Sequence, residues 1–320
     1  MTISSNNNIE FSVVIPLYKC SGSLEELCDR LLVVFEKLNK SFEIILVNDA
    51  SPENDWKIAS KLSKLYKNIK SINLSKNFGQ HPAIFCGLNH TSGNWIVVMD
   101  GDLQDQPEEI ENLYNKSKEG YDIVFAKRTI RNDSFFKKLS SRVFYAFLTY
   151  LTGSKQDRAV ANFGIYSDKV IKVLNSSNES VRYFPTMVRW VGFKTAKIDV
   201  VHNSREEGDS SYNFKRLFDL AIDIIIVNSD KPIKLLIKSG VFVSLLSFLI
   251  AIYYFITWLC GDIIVLGYAS LMISIWLLSG FLISTLGIIG LYIGKTFQQV
   301  KNRPVYIIDE KINFSEIKIN

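Results

Sequence analysis

The chain has 320 residues, 48% of them hydrophobic, and a formal net charge of +5. That length exceeds one typical domain, and a mean hydropathy of +0.12 is high for a soluble enzyme, with a cause that is local to the later part of the chain. Cys20, Cys28, Cys86 and Cys260 form no Cys-x-x-Cys pair and have no histidine at zinc-ligand spacing, so reduced thiols are expected rather than a zinc site or disulfide framework.

Met1 to Glu10 is polar, which predicts no secretory signal. Phe11 to Leu17 is a strand candidate. Ser23-Leu24-Glu25-Glu26 reads as a capping box opening a helix whose Leu24, Leu27, Leu31, Phe35 and Leu38 share a face. Phe42 to Val47 is a second strand, Trp56 to Tyr66 a second helix and Ile69 to Leu74 a third strand. His81 to Asn89 is helical, and Trp95 to Met99 is a buried strand. Pro107 suits the first turn of a helix over Glu108 to Lys118, and Asp122 to Ala126 is a fifth strand. This alternation predicts an α/β fold with a mostly parallel sheet covered on both faces.

Phe136 to Leu151 and Phe214 to Val227 are amphipathic. Each either packs on a core or lies in a membrane interface, and proximity to two uncharged stretches favours the interface for the second. Those stretches, Ser239 to Leu259 and Ile263 to Gly294, each reach the roughly 20 residues needed to cross a bilayer. Lys231, Lys234 and Lys238 precede the first stretch. Lys295, Lys301 and Arg303 come after the second, while the connection carries only Asp262. Positive charge on both flanks predicts a hairpin with both termini cytoplasmic. Gly280, Ser284, Gly287, Gly290 and Gly294 would allow close helix packing, within the hairpin or between subunits.

The chemistry gathers where strands end. Val97-Val98-Met99 runs into Asp100-Gly101-Asp102-Leu103-Gln104-Asp105. On extended chain Asp100 and Asp102 point the same way, at the carboxyl end of a strand, where open α/β sheets bind ligands. Two carboxylates aimed at one spot repel unless a cation joins them, and hard oxygens suit Mg²⁺ or Mn²⁺ bound together with phosphates. The other strands end in Pro16-Leu17-Tyr18, Asn48-Asp49-Ala50-Ser51 and Asn77-Phe78-Gly79-Gln80. Asp49 is either an acceptor for a nucleobase N–H or a cap for its own turn. Gly79 and Gly101 either admit a ligand against the backbone or make turns. His81 is placed to line the site; His90 and His202 are expected to be structural or exposed.

The order of these motifs resembles family 2 glycosyltransferases with the GT-A fold. Lys127-Arg128, Asn162-Phe163-Gly164, Val188-Arg189-Trp190-Val191-Gly192-Phe193 and the segment Arg205 to Tyr212, together with the membrane hairpin, are similar to the polyisoprenyl-phosphate glycosyltransferases. The resemblance covers nearly the whole chain. It implies a GT-A domain over 1–212, an interfacial helix over 213–233, a two-helix transmembrane hairpin over 234–296 and a cytoplasmic tail over 297–320. It also implies inverting transfer of a sugar from a nucleotide-sugar, UDP-glucose by family frequency, to a polyprenyl (undecaprenyl) phosphate at the inner membrane. Homo-oligomers are expected, and nucleic acid is not.

By the same resemblance Asp49 matches the nucleobase-binding residue. Asp100, Asp102 and Gln104 match the metal-binding DxD motif, and Arg128 matches a contact to lipid phosphate. Asp157 matches a proposed catalytic carboxylate, while Arg205, Ser210, Ser211 and Tyr212 match a segment closing on the diphosphate. Pro16, Tyr18, Asn77, Gly79 and Arg131 complete the expected donor site. Two departures are Asn48 where many relatives have Asp and Ala50 where Gly is frequent. Alternative functions are extension of a glycan and a non-catalytic membrane receptor. Thr186 stands where processive synthases place the Gln of Gln-x-x-Arg-Trp, which argues against the first, and intact Asp100, Asp102, Gln104 and Arg128 argue against the second.

Overall fold

The structure is a computed structural model that describes residues 9–128, 160–177, 183–200, 231–260, 267–301 and 303–314. The chain divides into two compact units, one of residues 1–133, 157–210 and 303–320, the other of residues 134–156 and 211–302.

The first unit is built on an eight-stranded sheet. Its elements are β1 (Phe11–Leu17), α1 (Leu24–Leu38), β2 (Phe42–Asn48), α2 (Asp55–Leu65), β3 (Ile69–Leu74), α3 (Gln80–Leu88), β4 (Trp95–Val98), α4 (Glu109–Ser117) and β5 (Ile123–Arg128). Then come β6 (Val160–Ser167), α5 (Asp168–Ser176), α6 (Phe184–Trp190) and β7 (Thr195–Val200). The second unit contributes α7 (Lys231–Leu259) and α8 (Tyr268–Val300), after which the chain returns to the sheet as β8 (Ile308–Ile312).

The strand order is β7-β5-β6-β4-β1-β2-β3-β8. The pairs β1–β2, β1–β4, β2–β3 and β5–β7 are parallel, whereas β6 and β8 run against their neighbours. β1 is buried at every position, which suits a central strand covered on both faces. Leu27, Leu31 and Phe35 of α1, Ala59 and Leu62 of α2, and Ile110 and Leu113 of α4 pack on one face. Ile84, Phe85 and Leu88 of α3, Val170 and Leu174 of α5, and Phe184 and Met187 of α6 pack on the other. The order reverses between β1 and β4, and a crevice for ligands opens beyond the carboxyl ends at such a point.

The expected capping box at Ser23 does not form. The Ser23 side chain makes no cap bond, and its Oγ donates to Gly101 O at 2.6 Å and to Cys20 O at 3.0 Å. The hydroxyl therefore ties the loop after β4 to the start of α1. The reading of the sequence assigned no element to β6, β7 or β8.

The amino end of the sheet holds a buried ionic network. Glu43, whose side chain is 1% exposed, accepts from Ser12 Oγ, Ser92 N and Lys70 Nζ, each at 2.6 Å. Three donors satisfy a carboxylate that burial would otherwise penalise.

In the second unit, α7 and α8 are both long and apolar enough to cross a membrane, and their apolar windows, Ile233–Ile250 and Leu277–Gly294, have no buried share. A Cβ built at Gly280, Gly287, Gly290 or Gly294 meets nothing within 4 Å among the described residues. The Phe136–Leu151 and Phe214–Val227 segments lie outside the described residues.

Candidate active site

Four loops leave the carboxyl ends of β1 to β4, and each contains a residue in the left-handed region: Lys19 (φ 56°), Ala50 (φ 48°), Gly79 (φ 100°) and Leu103 (φ 58°). Left-handed backbone is costly for residues with a Cβ, and such strain concentrates at functional sites. The Ala50 departure falls at such a position, where glycine would be unstrained.

The loops are held by carboxylates. Asp49, 3% exposed, accepts the Phe78 N–H at 2.7 Å through Oδ1 and the Gly79 N–H at 2.8 Å through Oδ2. It thus caps the loop after β3, twenty-nine residues away, and not its own turn. Burial is the largest influence on its carboxyl and pushes it above the ordinary carboxylate range, while the two amides act in the opposite direction. Asp55, fully buried at the start of α2, accepts from Lys19 N at 2.8 Å and Cys20 N at 3.2 Å and so anchors the loop after β1. Burial, reinforced by Asp55, raises the Cys20 thiol and keeps it neutral.

The acidic motif follows β4 directly. The strand ends at Val98, and residues 101–104 bend, so strand alternation does not set the direction of Asp102 as the sequence suggested. Left-handed Leu103 is part of that bend, and Asp102 Oδ1 accepts the Gln104 N–H at 3.2 Å in an Asx-type turn. Gln80 Nε2 donates to Asp100 Oδ1 at 2.7 Å, joining the start of α3 to the motif. Space at Gly101 is tight: a Cβ there would lie 3.0 Å from Cys20 Sγ, so a side chain would need that sulfur to give by a few tenths of an ångström.

Of the other expected residues, Pro16 lies in β1 opposite Val47, Tyr18 is half-exposed and Asn77 is exposed. Gly79 takes a φ that glycine adopts freely and precedes α3. His81 is partly buried, its ring edge-on to Tyr183 with centroids 4.5 Å apart, and desolvation lowers its pKa to about 4. Its Nδ1 has no hydrogen-bond partner among the described residues. His90 is structural: Nδ1 bonds Cys86 O at 2.7 Å and Nε2 bonds Lys311 Nζ at 2.8 Å. Thr186 is buried on α6, whereas Trp190 is 69% exposed. Lys127 pairs with Asp199 at 3.2 Å. Arg128 ends β5, and its side chain lies outside the described residues, as do Arg131, Asp157, His202, Arg205, Ser210, Ser211 and Tyr212.

No group of three or more His, Cys, Asp or Glu side chains is placed to hold a metal among the described residues. A divalent ion bound by one or two carboxylates, with phosphate oxygens and water completing its shell, still fits. Mg²⁺ is commonly held in that way, and Asp100 and Asp102 offer the hard oxygens it needs.

Asp55 and β8 were not singled out from sequence, and Gln80 was read only as part of its motif, without a partner. A buried Asp at a helix start reads as a helix-terminus charge, and the Gln80–Asp100 bond spans twenty residues between separate strands. No local pattern reveals either partnership.

The glycosyl transferase family 2 model matches residues 12–174. An uncharacterized glycosyltransferase of Synechocystis sp. is 34% identical over 94% of this chain and 95% of its own. The undecaprenyl-phosphate 4-deoxy-4-formamido-L-arabinose transferase of Photorhabdus laumondii is 32% identical over 97% of this chain and 96% of its own. The crystal structure of mannosyl-3-phosphoglycerate synthase from Rubrobacter xylanophilus aligns with a TM-score of 0.49 and 12% identity, covering 68% of this chain and 73% of that one.

Proposed function

The chain belongs to glycosyl transferase family 2, and from that premise we propose that it moves a sugar from a nucleotide-sugar to the phosphate of undecaprenyl phosphate with inversion at the anomeric carbon. UDP-glucose is the first donor to test. UDP-4-deoxy-4-formamido-L-arabinose is the second, because a relative's name specifies that sugar. One observation carries the reading: an acidic pair at the topological switch point of the sheet, in a chain that also holds two bilayer-length helices.

In this reading Asp100 and Asp102 hold Mg²⁺ or Mn²⁺, with Gln104 beside them. When bound, the ion supplies Lewis-acid neutralisation of the leaving diphosphate. Asp49 and Asp55 fix the loops that face the nucleotide. The lipid phosphate oxygen forms the new bond to the anomeric carbon as the bond to the diphosphate breaks, and the electron pair leaves with the nucleotide. With a second pKa near about 6, as for phosphorylated side chains, that phosphate is already largely anionic. Asp157 is therefore assigned to positioning or charge balance, not proton removal. Arg128, Arg131 and Arg205 contribute planar donors to phosphate oxygens, and Ser210, Ser211 and Tyr212 close on the diphosphate.

In the same reading the enzyme sits in the inner membrane with both ends in the cytoplasm; the length and apolar character of α7 and α8 and the Lys and Arg on both flanks support it. The exposed glycine face of α8 is available to a neighbouring subunit in a homo-oligomer.

The test mixes membranes containing the protein with Mg²⁺, undecaprenyl phosphate and a panel of radiolabelled nucleotide sugars, and tracks acid-labile lipid-linked sugar. Product that is lost on chelation and in Asp102→Ala supports the reading. Product only with a glycan acceptor, or undiminished transfer after exhaustive chelation, overturns it.

A further inference from the structure

We propose that the carboxy-terminal strand β8 is a working part of the donor pocket and positions the loops after β2 and β3; the donor assignment rests on the function proposed for the chain. β8 comes after the second apolar helix in the chain yet pairs antiparallel with β3, the strand that leads into Ser75–Gly79. Two routes run from it toward the site.

The first route is backbone and packing. Ser75 N donates to Ile307 O at 3.0 Å, which fixes the first residue of the loop. Tyr306 and Ile308 pack with Phe78 against a common cluster that includes Val47, Leu74 and Ala83. Phe78 is the residue whose N–H the Asp49 carboxylate grips. The Tyr306 hydroxyl also accepts from Asn89 Nδ2 at 2.8 Å, tying the same segment to the far end of α3.

The second route is a line of polar side chains. Asn73 Nδ2 donates to Asp309 Oδ2 at 3.3 Å, and Asn48 Nδ2 donates to Asn73 Oδ1 at 2.8 Å. Asn48 Oδ1 accepts the Ser51 N–H at 3.3 Å, and Ser51 Oγ accepts the Lys19 N–H at 3.1 Å. Asp309 therefore connects, one hydrogen bond at a time, to the loops after β2 and β1. Such chains act through orientation, and each neutral link contributes a modest net free energy.

This arrangement accounts for Asn48. With Asn at 48, the side chain donates to Asn73 and accepts from Ser51 at once. An ionised Asp there would accept from both neighbours but could not donate.

The test uses the full chain with UDP as probe and compares Asp309→Ala, Asp309→Asn and Tyr306→Ala with the natural sequence. Three quantities are read: UDP affinity, amide exchange at Ser75–Gly79, and the split between donor KM and kcat. Asp309→Ala should weaken UDP binding about twofold and Tyr306→Ala about fivefold, the scale of one or two modest contacts. Exchange should rise selectively at 75–79, with donor KM moving and kcat holding. Asp309→Asn, which keeps an acceptor oxygen, should restore natural behaviour. Unchanged affinity and exchange in both alanine variants overturns the proposal. So does a rise in exchange spread evenly over the sheet, which would mark β8 as support for the fold only. A natural protein that binds no UDP refutes the donor assignment instead, and exchange at 75–79 then still decides whether β8 holds the loop.

Discussion

Replacing Asp49 asks whether its carboxylate clamps the loop after β3. The two amide hydrogen bonds, at 2.7 and 2.8 Å, go to an almost fully buried acceptor. Bonds to an ionised acceptor contribute about 1.5–3 kcal/mol each. Burial of the charge opposes them, and it dominates the raised carboxyl pKa. The net loss in Asp49→Ala therefore falls near the low end, about 3 kcal/mol. Asp49→Asn keeps one acceptor and removes the buried charge, but turns an NH₂ toward the second amide, for a loss of about 1–2 kcal/mol. In a domain of this size each kcal/mol lowers Tm by roughly 2–4 °C. Thermal unfolding in detergent should then rank the natural protein above Asn and Asn above Ala, with Ala roughly 6–12 °C down. Amide exchange at Phe78 and Gly79 should accelerate in the same order. Should both variants melt with the natural protein while only donor affinity falls, Asp49 is a ligand and not a clamp, and the reasoning is wrong.

Acid should weaken the fold through His81. Its pKa is about 4 in the fold because burial disfavours the cation, against an ordinary 6.5, so between those values the unfolded chain binds a proton that the native state refuses. Stability is thus held above pH 6.5 and lost toward pH 4, by about 3 kcal/mol at 1.36 kcal/mol per unit. His81→Phe should flatten the Tm–pH curve over that window, and an identical slope would contradict the assignment. Ala50→Gly relieves a left-handed Cβ at some loss of backbone entropy and should gain about 0.5–1 kcal/mol by denaturant titration. A lower midpoint would mean position 50 is not strained. Glu43→Ala strands three donors, Lys70 Nζ, Ser12 Oγ and Ser92 N, at the amino end of the sheet, away from the site. It should cost about 3–5 kcal/mol while donor KM stays constant, and a shifted KM would count against that separation.

The parallel core was legible because β1, β2 and β4 are short, mostly apolar runs closed by turn residues, and β3 keeps Ile69, Ile72 and Leu74 among polar neighbours. β1 and β3 match the expected bounds, and β2, β4 and β5 differ by one or two residues at an end. β7 was not, since Thr195–Val200 alternates exposed and half-buried positions and packs mainly from one side. β8 reads Ile-Asp-Glu-Lys-Ile, too charged and too short to announce itself, and its meaning depends on a partner strand far away in sequence. In the site, the residue types at strand ends were readable but not their partners. Asp49 was weighed as a base ligand or a local cap, and the structure adds a long-range clamp that no spacing encodes. The bend at Leu103 was equally hidden, because a leucine gives no local hint of left-handed backbone.

The late position of β8 has a consequence for biosynthesis. β3 leaves the ribosome more than two hundred residues before the strand that completes its edge, and both apolar helices are made in between. At about 5–20 residues per second, that interval is roughly 10–50 s. Throughout it the Ile72–Leu74 border lacks the cover that Tyr306 and Ile308 later provide, and such an edge invites association with other nascent chains. Completion of the sheet therefore comes after synthesis of both apolar helices, so a chain stalled before residue 308 would lack the strand that borders β3.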